Sequence, residues 1–197
     1  MFRKVICNLL IDVHPLCINR WTCAILTKPI YKFYLNYRTV CFEYGRKEPH
    51  NDKIKDIDEL LICAAKFNNI IIVKWCLKNG AMINTQFGCA LLHAAHNGYL
   101  KIVKLLLAAN ADIHAQNDDA LRGSVENGHL EVVRLLLAAG ANVHADDDYS
   151  LQYAACYGQL EIVRLLLAAG ANVYADENAA LRYATNNKHL EIVKILH

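Results

Sequence analysis

The chain has 197 residues, of which 55% are hydrophobic and 20% charged, and its formal net charge is +2. This is globular rather than disordered composition, in a chain long enough for one sizeable domain. The charge is uneven: residues 1–54 hold nine Lys and Arg against four Asp and Glu, and residues 55–197 hold twelve against fifteen. Without Lys/Arg runs or glycine-aromatic motifs, the basic surplus gives little support to nucleic-acid binding and reads as an ordinary basic segment.

The first stretch, MFRKVICNLLIDVHPLCINRWTCAILTKP, imitates a signal peptide through Arg3 and Lys4 ahead of Val5 to Ile11. Asp12 and His14 interrupt the apolar run, however, and no small-residue cleavage site follows. Its longest uncharged run falls far short of the ~20 residues that span a bilayer. The expectation is a soluble, intracellular chain without a membrane segment, in cytoplasm or nucleus. From Tyr31 to Tyr44, aromatic and β-branched residues favour a short strand pair. Residues 45–52, GRKEPHND, carry glycine, proline and charge without periodicity and mark a boundary. Residues 1–54 are therefore expected to form an irregular, α+β-like cap on the elements that follow. Cys7, His14, Cys17 and Cys23 form a loose cluster, but only His14 and Cys17 have the short spacing of structural zinc ligands, so no metal is assigned. Four further cysteines, at positions 63, 76, 89 and 156, fall where buried helix faces are expected and read as small apolar residues.

From residue 55 the chain repeats itself. NGHLEVVRLLLAAGANVHA, residues 127–145, returns thirty residues later as YGQLEIVRLLLAAGANVYA. Three columns share that period: Asn68, Gly98, Gly128, Gly158 and Lys188; Gly80, Asn110, Gly140 and Gly170; and Leu61, Leu91, Leu121, Leu151 and Leu181. The period divides the chain into units 55–84, 85–114, 115–144, 145–174 and a shorter 175–197. In each, a first helix is expected to start at Asp58, Gly88, Asp118, Asp148 or Asn178, with that residue as its cap. The Gly98 column should end the first helix in a left-handed turn, and the Gly140 column the second. Lys188 is the poorest occupant of such a turn, which makes the last unit the loosest.

The second helix is apolar over an arc of roughly 220°, with Val132, Val133, Leu135, Leu136 and Leu137 around Leu130, at about 100° per residue. A helix at the surface needs about half that width, so copies of the same unit must flank it on both sides. Its narrow wet strip carries Glu131 with Arg134, Glu161 with Arg164, and Glu191 with Lys194. Leu190, Ile192, Val193, Ile195 and Leu196 repeat the buried pattern. The expectation there is a frayed last helix on a monomer, with self-association through the open face as the alternative.

These residues resemble the second half of an ankyrin repeat, over residues 55–197. The first half departs from the family: its Thr-Pro-Leu-His run is Asp119-Ala120-Leu121-Arg122, Tyr149-Ser150-Leu151-Gln152 and Ala179-Ala180-Leu181-Arg182 here. The pinning hydrogen bonds of the family's Thr and His are accordingly expected to be absent, leaving stability to the leucine stack. The period is 30 rather than 33 residues, and the deficit between Ala115 and Leu121 implies a clipped hairpin finger. In both respects the chain is similar to the ankyrin proteins of large DNA viruses. The fold implied is an all-α solenoid of stacked helix-turn-helix units.

No serine stands in a nucleophile elbow, no glycine-rich loop follows a strand, and the carboxylates fall at expected helix starts. The expectation is therefore a non-catalytic protein without a cofactor or small-molecule substrate. Asp146, Asp147 and Asp148, with Asp118, Asp119, Asp176 and Glu177, form an acidic ridge that reads first as caps and second as a surface steering a basic ligand. His93 and His96 are expected to face solvent. If the recurring residues are scaffold, binding belongs to columns that change from unit to unit. The resemblance implies that the first helices line a concave groove, which nominates Asp119, Arg122, Tyr149, Gln152, Tyr153, Arg182 and Tyr183 as partner-binding residues. The function expected is a protein-protein interaction scaffold. The alternative is an adaptor whose residues 1–54 recruit a second machinery, such as a ubiquitin-ligase component, although no box motif of that kind is present.

Overall fold

The computed structural model describes residues 57–197. The expected cap, its strand pair and the loose cluster from Cys7 to Cys23 lie outside the described residues. Within them every regular element is a helix and no strand occurs. They fall into two compact units, one ending at Met82 and the other running from Ile83 to His197.

The first unit holds one helix pair, α1 (Ile57–Lys66) and α2 (Ile70–Lys78). Asn68 turns the chain between them at φ 56°, a conformation that asparagine tolerates better than other side chains with a Cβ. Asn69 then caps α2 by accepting from the Ile72 amide at 3.1 Å. Leu60, Leu61 and Ala64 face inward from α1, and Ile72, Val73 and Cys76 from α2. Burial pushes the Cys76 thiol up to about 12, so it packs as a neutral, small apolar group.

The second unit stacks four such pairs. They are α3 (Thr85–His96) with α4 (Leu100–Ala108), α5 (Ala115–Glu126) with α6 (Leu130–Ala138), α7 (Ala145–Cys156) with α8 (Leu160–Ala168), and α9 (Ala175–Asn186) with α10 (Leu190–Leu196). Each first helix packs on the first helix of the next pair, and each second helix on the next second helix. The first helices bury small residues toward one another, Ala90, Ala120, Ser150 and Ala180 in one column, and small side chains let helix backbones approach. The second helices bury a larger triplet, Val132, Val133 and Leu136 in α6 and Ile162, Val163 and Leu166 in α8. Each fully buried leucine of that kind contributes roughly 1.5–3 kcal/mol.

The turn residues behave as the columns predict. Gly98, Gly128 and Gly158 are left-handed at φ 72°, and Lys188 takes the same conformation at φ 62°. Two of those glycines have a second reason to be there: a Cβ on Gly98 would stand 2.5 Å from the His129 ring, and one on Gly158 2.7 Å from the His189 ring. The rings cross from the next pair, and their Nε2 atoms lie 3.0 Å from the His96 and Cys156 carbonyls, ending helices of the pair before.

The start of the first helices differs from expectation. Residues 86–88, 116–118, 146–148 and 176–178 form a left-handed turn, with φ between 46° and 75°, before each regular helix begins. The clipped finger is this turn, and its last position is always Gly, Asp or Asn, at Gly88, Asp118, Asp148 and Asn178, residues that sustain positive φ at least cost. Asp118 and Asp148 are accordingly not caps of the helices they precede. Each is about 95% buried and reaches to the end of its own pair, accepting at 2.7 Å from the Asn142 and Asn172 amides. His114 and His144 lie 3.2 Å from the same carboxylates. Gly88 has no side chain to do this, and Asn84 accepts from the Asp112 amide at 2.8 Å instead. The expectation of a stack without pinning hydrogen bonds is thus corrected: the pins exist, built from Asp and His in place of the family's Thr and His.

The leucine column also shows a difference. Leu91, Leu121 and Leu151 are each 1% exposed, whereas Leu181 is half-buried and Leu190 is exposed. The last pair meets a neighbour on one side only in this structure, so its apolar positions are not equivalent to those of the inner pairs. Ile192 and Leu196 are nevertheless buried, and α10 is helical through Leu196.

Candidate interaction surface

All seven nominated residues lie on the first helices α5, α7 and α9. Three of them are occupied with the left-handed turns. Arg122 donates to the Gln116 carbonyl at 3.3 Å and to Asp119 at 2.9 Å, and it pairs with Asp146 of the next turn. Gln152, which is buried, donates to the Asp147 carbonyl at 2.8 Å. Arg182 reaches the Asp176 carbonyl at 3.4 Å and lies 3.9 and 3.8 Å from the Asp176 and Glu177 carboxylates. One column of long polar side chains therefore ties each of the last three turns back to its helix.

The tyrosines are arranged differently. Tyr149 and Tyr153, one helical turn apart, have ring centroids 4.5 Å apart, and Tyr153 lies 5.4 Å from Tyr157. The three stand at i, i+4 and i+8, which puts them on one face of α7 and its C-terminal end. Tyr149 and Tyr153 are half-buried, Tyr157 is 59% exposed, and Tyr183 is 40% exposed one pair further on. The hydrogen bond to Tyr149 raises the Tyr153 phenol to about 12, with the charge of Glu126 adding to the effect. Tyr153 thus keeps its proton. Tyr157 was not nominated from the sequence, although its spacing from Tyr153 carried the signal.

The opposite layer is wet in the expected manner. Glu131 with Arg134, Glu161 with Arg164, and Glu191 with Lys194 stand 3.7, 3.8 and 2.8 Å apart at exposed positions, and such pairs contribute a few tenths of a kcal/mol each. His96 is exposed, as expected, with Asn127 Nδ2 3.3 Å from its ring. His93 is instead half-buried and has an interacting partner.

An open depression of about 530 Å³ lies at the first two left-handed turns of the second unit, lined by residues including Asn84, Phe87, His114 and Gln116. Phe87 beside it is 80% exposed. A small-molecule site encloses most of its ligand, and this depression is a surface feature. Among the described residues no group of three or more His, Cys, Asp or Glu is placed to hold a metal ion, and no helix is long and apolar enough to cross a membrane.

No curated protein matches the chain. The likeness to viral ankyrin proteins therefore rests on the short period and the missing Thr-Pro alone. A family model described as Ankyrin repeats (3 copies) matches residues 36–117 and 121–197. That match covers most of the chain and coincides with the stacked helix pairs, their left-handed turn glycines and the buried leucine column: the chain belongs to the ankyrin-repeat family.

Proposed function

We propose that the protein is a binding module for another protein, and that the contact surface is the first-helix face of α5, α7 and α9. Ankyrin repeats generally mediate protein-protein interactions and are typically non-catalytic scaffolds. The observation that favours this face is the tyrosine set, Tyr149, Tyr153, Tyr157 and Tyr183, of which the last two are substantially exposed. Tyrosine supplies large contact area at low entropic cost and is enriched among residues that dominate interface energetics. Asp119, Arg122, Gln152 and Arg182 act in this reading chiefly by holding the turns that frame the face.

The test is capture of binding proteins by the full chain and by the double variant Tyr153→Ala, Tyr183→Ala. The expected result is loss of the bound proteins, with stability lowered by no more than the ring contacts of Tyr153 imply, about 0.5–1.5 kcal/mol. Retention of every bound protein by a folded variant would remove the face from consideration. Retention by the full chain but loss on deletion of residues 1–54 would favour the adaptor arrangement instead.

A further inference from the structure

Charge is divided between the two layers of the stack. Residues 115–127, 145–157 and 175–187, which hold the last three left-handed turns and first helices, carry eight carboxylates and two arginines. The alternating segments 128–144, 158–174 and 188–197 carry three glutamates against four Lys and Arg. The acidic excess therefore belongs to the tyrosine-bearing side alone. Both arginines of that side are already paired, Arg122 with Asp119 and Asp146, Arg182 with Asp176 and Glu177. Asp118 and Asp148 are consumed by buried bonds.

Two carboxylates remain without a paired cation among the described residues, and both are exposed. Asp147 stands two residues ahead of Tyr149 in the turn that opens α7, and Glu126 is the last residue of α5, the helix packed against α7. The rings stand 4.5 and 5.4 Å apart and cover one another's facing sides, so the open ring surface belongs to the ends of the row, above all to Tyr157 at 59% exposure, and an open ring face attracts a cation within about 6 Å. A ring face with a carboxylate in reach suits the guanidinium group in particular, which stacks on aromatics and donates hydrogen bonds in its plane.

We infer that the ladder Tyr149, Tyr153 and Tyr157, with Tyr183 beyond it, receives an arginine-rich extended segment of the partner protein, whose guanidinium groups lie on the rings and pair with Asp147 and Glu126. This rests on the first-helix face being the contact surface. An extended segment sets its alternate side chains about 7 Å apart, so two of them can reach the two ends of a row whose rings stand 4.5 and 5.4 Å apart. Lysine would satisfy the charge but not the stacking, so arginine binds more tightly at equal charge.

The test uses the full chain and a fluorescein-labelled peptide of alternating arginine and serine, with lysine and citrulline replacing arginine in two control peptides. Citrulline keeps the planar shape and loses the charge. At about 0.15 M ionic strength the arginine peptide is expected to bind, the lysine peptide more weakly, and the citrulline peptide at least about tenfold more weakly. Tyr157→Leu, which alters an exposed ring, and Tyr153→Leu should each weaken arginine-peptide binding roughly three- to tenfold without changing its salt dependence. Asp147→Asn with Glu126→Gln should instead flatten the salt dependence.

Equal binding of the citrulline peptide would overturn the inference, because no cation would be recognised. Arginine-peptide binding that ignores both tyrosine variants would also overturn it, reducing the effect to diffuse attraction by an acidic surface. Failure of the arginine peptide to bind, while cellular proteins are still captured and then lost on Tyr153→Ala, Tyr183→Ala, would leave the face as the contact surface and reject the arginine-rich partner. Loss of neither would reject the face itself.

Discussion

The two layers of the unit from Ile83 to His197 obey different rules. The second helices α6 and α8 are LEVVRLLLA and LEIVRLLLA, which differ only at Val132 and Ile162. The paired first helices, AQNDDALRGSVE and ADDDYSLQYAAC, share little beyond Ala115 with Ala145, Asp118 with Asp148, and Leu121 with Leu151. α6 and α8 each meet another second helix on both sides through large branched side chains, so a change in one must be matched by its neighbours. A first helix meets the first helices beside it through a narrow stripe of Ala, Ser and Leu, which leaves more of its surface free to vary. Identity between repeats thus marks packing, and in the proposed reading part of the variation marks the face offered to a partner.

The sharpest way to break that division is in the invariant layer. Leu136 is fully buried in α6, and Leu136→Asp places an unpaired carboxylate between stacked helices. The expected loss is more than about 4 kcal/mol, enough to unfold a domain of ordinary stability. A cooperative circular-dichroism melt close to that of the unaltered protein would show that the second-helix layer does not carry the stack. A smaller effect separates two turn glycines with the same backbone. Gly158→Ala sets a Cβ 2.7 Å from the His189 ring, which bonds the Cys156 carbonyl, whereas Gly128→Ala meets nothing closer than 3.5 Å. Both lose the freedom of glycine at positive φ, about 1 kcal/mol, and Gly158→Ala should lose about 1–2 kcal/mol more through crowding. Equal urea midpoints for the two variants would mean that the crossing histidine contributes nothing to the inter-pair contact.

What the residues revealed in advance follows the same division. A requirement met by one residue type and repeated five times is legible, as in the Leu61 to Leu181 column and the turns at Gly98, Gly128 and Gly158. The left-handed turn at 116–118 was hidden because the residues that tolerate positive φ, Asn and Asp, are the same ones that cap helices. Only the position of the Asn142 amide, 2.7 Å from Asp118, separates the two roles. Gln152 was misjudged for a related reason: a long amide one turn into a helix can point outward or fold back, and here it folds back onto the Asp147 carbonyl. Leu190 repeats Leu130 and Leu160 in sequence but is exposed, since burial of that column depends on a neighbouring pair and not on the residue itself.

The tolerance of the first-helix stripe can be sharpened at Ser150. Its hydroxyl oxygen is buried with no hydrogen-bond partner among the described residues, in a column that otherwise holds Ala90, Ala120 and Ala180. Burying an unsatisfied hydroxyl costs roughly 1–3 kcal/mol, and alanine is also the better helix former. Ser150→Ala should therefore raise stability by about 1 kcal/mol, a gain in the urea midpoint at constant slope. A loss would mean that the column is not purely a packing stripe and that the hydroxyl has a role in the complex or in the folded chain.

The smallest effect expected is the one that bears most directly on binding. Tyr157 follows the last residue of α7, 59% exposed, with its ring 5.4 Å from that of Tyr153. Removing a ring that is mostly in water forfeits little burial, so Tyr157→Ala should change stability by no more than about 0.5 kcal/mol. Tyr153→Ala, which gives up ring contacts on both sides, should cost more, about 0.5–1.5 kcal/mol. If Tyr157→Ala proves as costly as Gly158→Ala, the ladder is part of what holds the first helices together. The tyrosines would then be grouped with the leucines, and sequence variation between repeats would cease to mark the surface that a partner reads.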